Sequence, residues 1–163
     1  MNSKKIFPFF WIFFIFLLQN AVTFLFPQKA PTLLLITVLF YALSEGPWFG
    51  ALLGAFAGLL LEVFGLGRMG GEILVLSFAG FLFGQSAGTF FRESIFAQIL
   101  LPVLAFYLTT FLRFVLFAVS AGEGVSFSVL RESCLSWDIL GVLVVSPLIF
   151  FFLKKVSYGV SQG

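Results

Sequence analysis

Between Lys5 and Lys29 no charged side chain occurs. The run IFPFFWIFFIFLLQNAVTFLF, residues 6–26, is long enough at about 1.5 Å per residue to cross the roughly 30 Å hydrocarbon layer of a bilayer. A backbone in hydrocarbon has no water to bond, so such a run must satisfy its own N–H and C=O groups as a helix. Lys4 and Lys5 ahead of it imitate the basic leader of a secretory signal. The apolar run, however, exceeds the roughly 7–15 residues of a signal and ends at Phe26-Pro27 without an Ala-x-Ala site, which predicts a retained first span.

The same constraint recurs along the chain. Polar breaks at PQKAP, SEGP, GLGRMGG, FRES and SAGEGVSFSVLRES divide the apolar sequence into six segments, residues 6–26, 31–45, 47–65, 71–90, 95–119 and 134–153. Hydrophobic residues make up 61% of the chain and charged residues 10%, too few to cover a water-soluble globule. The fold class expected is therefore an all-α polytopic membrane protein, a compact six-helix bundle forming a single transmembrane domain over residues 1–163.

Composition also excludes functions. A net charge of +2 from scattered basic residues does not make a phosphate-binding surface, so nucleic acid is not a partner. One cysteine, Cys134, and no histidine rule out a Cys/His zinc site and a Ser-His or Cys-His nucleophile pair. No catalytic residue, metal or cofactor is expected.

The second segment, residues 31–45, reaches only about 22 Å, so it either crosses short or dips with the third as a hairpin. Either way the chain returns to the side it left. Placing the N-terminus in the cytoplasm puts Lys4, Lys5, Arg92, Lys154 and Lys155 inside and Lys29, Arg68 and Arg131 outside, the bias the positive-inside rule expects. Both termini are thus expected in the cytoplasm.

Segment three carries glycine at 46, 50, 54 and 58 and then Glu62; segment four carries Gly80, Gly84 and Gly88. Lipid supplies little hydrophobic drive for helix to meet helix, so association depends on close backbone approach, which small residues every fourth position permit. Two readings follow. The ladders pack against each other, or they form a groove that receives another protein's helix.

Ionisable groups at membrane depth are expensive and mark interior-facing sites. Glu62, Glu72, Arg113 and Asp138 all fall in the outer leaflet on this topology, with Asn20, Gln19, Thr109 and Thr110 at similar depth. Arg113 is the deepest and requires a carboxylate; Glu62 is the first choice of partner and Asp138 the second. The cluster Asn20, Glu62, Glu72, Arg113 and Asp138 is either a clamp that fixes helix packing or a ligand site. Trp11, Trp48, Trp137, Tyr41 and Tyr158 fall mostly near segment ends, at headgroup level, and Pro102 and Pro147 should kink their helices.

The stretch from Pro31 to Ser94 resembles the MreD family of bacterial rod-shape-determining membrane proteins. The match runs through Pro31-Thr32-Leu33-Leu34-Leu35, Ala42-Leu43, Gly46, Gly50, Gly54, Gly58-Leu59-Leu60 and Glu62, with Gly80 and Gly84 beyond. The chain departs from the pattern with Glu62 where aspartate is usual and Thr32 where an acid is common. The resemblance implies a non-catalytic scaffold of the cell-elongation machinery in the bacterial inner membrane. It implies partnership with MreC, a single-span protein, and with MreB, RodA and a penicillin-binding protein in a larger complex. The alternative is the substrate-binding subunit of an energy-coupling-factor vitamin transporter, a fold MreD-like proteins resemble, holding a small polar molecule at Asn20, Glu62, Arg113 and Asp138.

Overall fold

The computed structural model describes residues 3–25, 33–64, 70–86 and 95–121, together with 142, 143, 145–149 and 151 of the last segment. They form helices α1 (Ser3–Leu25), α2 (Leu33–Glu45), α3 (Pro47–Phe64), α4 (Gly71–Gly84) and α5 (Ile95–Ala121). The described residues of the last segment are helical too, and no strand occurs among the described residues. Asp138, Gly88 and most of the sixth expected segment lie outside them. Helices α1, α3 and α5 each hold an 18-residue window apolar enough to cross a membrane, while α2 and α4 are shorter.

The shortness of α2 is explained by its position. Its 13 residues reach about 20 Å, and every residue from Leu33 to Ala42 is buried. It packs against α1, α3, α4 and α5. A helix apolar on all sides belongs inside a bundle, and LLLITVLFYA has no polar face to turn outward. Thr37, in its middle, is fully buried and donates to Leu33 O at 2.8 Å. Tyr41, expected at headgroup level, is instead buried in this central helix, whereas Trp48 stands exposed at the start of α3.

Aromatic contacts set the direction of α1. Phe9 meets Phe49 and Phe56, and Phe16 meets Phe64, so α1 and α3 run parallel. The outer faces carry Phe10, Phe14 and Leu17 on α1, Leu74, Phe78 and Leu82 on α4, and Leu104, Phe111 and Val115 on α5. Large apolar side chains outside are the arrangement a lipid solvent selects.

One residue joins α2 to α3. Gly46 takes φ 101°, the left-handed conformation that closes a helix without a Cβ penalty. Its N–H donates to Ala42 O at 2.9 Å, and Pro47 opens the next helix with a fixed φ and no amide to satisfy. The sequence Gly-Pro thus turns the chain back immediately.

Helix α4 ends at Gly84, short of the 90 expected from hydropathy. Gln85 N–H still bonds Phe81 O at 3.2 Å, but Ser86 N–H bonds Phe83 O at 3.1 Å, a tighter turn that terminates the helix. Gly84 sits against Pro47, so α4 stops level with the start of α3.

Candidate functional site

The glycine ladders of α3 and α4 face each other. A methyl group added at Gly54 would collide with the backbone of Leu76 and Ser77, and one at Gly80 with the backbone of Gly50. At Gly58 it would lie 2.5 Å from Ile73 Cα, and at Gly84 2.5 Å from Pro47 Cα. These contacts descend in antiparallel register, Gly58 with Ile73, Gly54 with Leu76, Gly50 with Gly80 and Gly84 with Pro47. Ala42 of α2 closes on Gly50 and Val38 on Gly80, so three backbones converge at one level. Ser77 Oγ adds a bond across the pair to Ala51 O at 3.0 Å.

This settles where the ladder's bare backbone is used. The groove expected to receive a partner's helix at Gly50, Gly54, Gly58, Gly80 and Gly84 is filled from within the chain, because each helix of the pair occupies the other's strip. Gly46 serves the turn instead and has no neighbour within 4 Å of an added Cβ.

At the end where α3 finishes and α4 begins, the carboxylate of Glu62 is buried. It accepts from Gly70 N–H at 2.8 Å through Oε2, and from Glu72 N–H at 2.7 Å and Ile73 N–H at 3.1 Å through Oε1. The first amides of any helix lack intrahelical acceptors. Here the residue preceding α4 is Gly70, with φ 98° and no side chain to cap them. Glu62 supplies the missing acceptor from the neighbouring helix, and its negative charge meets the positive end of the α4 dipole. The expectation that Glu62 neutralises Arg113 is therefore corrected: both its oxygens are occupied by amides.

Arg113 of α5 pairs with Glu72 in the first turn of α4, Nη2 to Oε2 at 2.8 Å. Its Nε is buried without a partner among the described residues. The guanidinium is a longer lever than its position in α5 suggests, which lets it reach the outermost turn of α4.

The α1–α2 hairpin repeats the device of α3–α4. Gln19 Oε1 accepts from Leu34 N–H at 3.0 Å, so the second helix to start at this end is also capped by the helix before it. Asn20 does not join a cluster. It is exposed, and its Nδ2 donates to Phe16 O of its own helix at 2.9 Å. Thr109 is buried and donates to Phe106 O at 3.0 Å. The structure thus brings Glu62, Glu72 and Arg113 together, leaves Asn20 apart, and does not describe Asp138.

The cap on α4 was findable in the sequence from an absence. Gly70 ahead of α4 has no side chain to offer the first amides of that helix, which in lipid demands an acceptor from elsewhere. Glu62 is the side-chain acceptor nearest the end of α3, the helix that precedes α4.

The arrangement offers packing and polar closure. No group of three or more potential metal ligands occurs among the described residues, and the described charges at this end, Glu62, Glu72 and Arg113, are each directed at another part of the same chain.

Comparison with curated proteins and with solved structures returned no match. The family model for rod shape-determining protein MreD matches residues 3–156. Nearly the whole chain, including the hairpins whose glycines and caps are described above, is covered by that match: the chain belongs to the MreD family of rod shape-determining membrane proteins.

Proposed function

We propose that this protein is a non-catalytic scaffold of the cell-elongation machinery in the bacterial inner membrane. In this reading it holds a single-span partner, MreC, and through it MreB, RodA and a penicillin-binding protein that build lateral cell wall. The observation that carries the reading is the family match over residues 3–156. It is supported by the described residues, in which Glu62, Glu72 and Arg113 bond to groups of the same chain and large apolar side chains stand exposed on α1, α4 and α5. A protein built in this way acts chiefly by giving other membrane segments a rigid surface to lie against.

The transporter reading required Asn20, Glu62, Arg113 and Asp138 to converge on a solute. Glu62 and Asn20 place their hydrogen bonds within the chain, which removes two of the four groups from such a site.

The test is purification of the full chain from its native membrane after mild detergent extraction, together with depletion in growing cells. Copurification with an MreC-like protein and rounding of rod-shaped cells on depletion are expected. Retention of a vitamin-like molecule, with unchanged cell shape on depletion, would replace the scaffold by the transporter.

A further inference from the structure

The outward face of α5 carries a hydroxyl near the middle of the helix. Leu100, Leu104, Tyr107, Phe111, Val115 and Val119 stand exposed along it, a stripe one helix wide and about 28 Å long, close to the thickness of the hydrocarbon layer. Within this stripe Tyr107 is 42% exposed, and no hydrogen bond reaches its hydroxyl among the described residues; its ring touches Phe106.

Tyr107 lies at mid-depth. It stands six residues before Arg113, which is anchored at the first turn of α4, and within one residue of the midpoint of α5. Both membrane surfaces are then about 12–15 Å away along the axis, farther than a tyrosine tip can snorkel. The other exposed polar tips lie near helix ends or bond their own helix. Trp48 opens α3, and Asn20 and Thr23 donate to Phe16 O and Gln19 O. A phenol facing acyl chains in mid-bilayer has nothing to donate to, which is unfavourable.

Resting on the scaffold reading above, we infer that the α5 face from Leu100 to Val119 is the docking surface for one membrane-spanning helix of another chain, which presents a hydrogen-bond acceptor level with Tyr107. A second copy of this protein fits less well. Two-fold packing on α5 sets Tyr107 against Tyr107, and one phenol donating to the other leaves one of the two donors unanswered. A different helix with a serine, threonine, asparagine or glutamine at that level satisfies the donor completely.

The experiment uses the full chain coexpressed and reconstituted in vesicles with the MreC-like partner. It measures association by energy transfer and contact by a photoreactive residue placed at position 107 or, as comparison, at Phe78 on the α4 face. Tyr107→Phe removes only an exposed hydroxyl, so the fold is retained. Association weakened between about threefold and about twentyfold, with crosslinking to the partner from position 107 and none from Phe78, supports the proposal. Association by the wild-type chain that Tyr107→Phe leaves unchanged, or crosslinking from Phe78 alone, overturns it while the scaffold reading stands. Adducts from position 107 to a second copy, or to this chain's own residues, also overturn it. No association by the wild-type chain overturns the scaffold reading and this proposal together.

Discussion

Arg113 on α5 is joined to Glu72 on α4 at 2.8 Å, and the backbone amide of that same Glu72 is held by Glu62 of α3 at 2.7 Å. One residue therefore links three helices, through its side chain in one direction and its main chain in the other. The charge that ends the glycine ladder fastens α4 to α3, and the first turn of α4 in turn receives α5.

Neutralising either end of the ion pair leaves the other charge unpaired near lipid. Glu72→Gln and Arg113→Gln should each lower thermal stability in detergent, and the double variant should lose less than the sum of the two. Because both side chains are about a third exposed, the coupling is expected at the order of 1 kcal/mol. Glu62→Gln combined with Arg113→Gln, which meet only through Glu72, should couple more weakly than Glu72→Gln with Arg113→Gln. Coupling of Arg113 to Glu62 in place of Glu72 would reverse the assignment.

Removing the carboxylate of Glu62 strands three amides. Glu62→Leu should destabilise the chain by about 1–3 kcal/mol for each donor left without an acceptor in lipid. Glu62→Gln should be milder, since one oxygen still accepts from Glu72 and Ile73. Hydrogen exchange reports the difference directly: the amides of Gly70, Glu72 and Ile73 should lose protection in Glu62→Leu, while that of Leu34, held by Gln19, should not. Unchanged exchange at all three would dismiss the cap.

The glycines separate into two kinds that one measurement distinguishes. Gly54→Ala drives a methyl into the backbone of Leu76 and should cost about 1–3 kcal/mol by overpacking. Gly71 has open space where its Cβ would go, so Gly71→Ala should be neutral or stabilise by up to about 1 kcal/mol. Equal melting temperatures for the two variants would contradict the close contact of α3 with α4.

Much of this protein is legible in its residues. Apolar runs without charge announce helices in lipid, Gly46-Pro47 announces the turn between α2 and α3, and fourfold glycine spacing announces a close helix pair. These conclusions rest on local chemistry, because each concerns what a segment must do with its own backbone. Which carboxylate meets Arg113 is a different kind of fact. Successive helical residues differ by about 100° in direction and 1.5 Å in height, so the choice between Glu62 and Glu72 turns on how far α4 slides and rotates against α3. Only the packing of Gly54 on Leu76 and Gly58 on Ile73 decides that, and the same packing closes the groove that the glycine spacing alone leaves open to a partner.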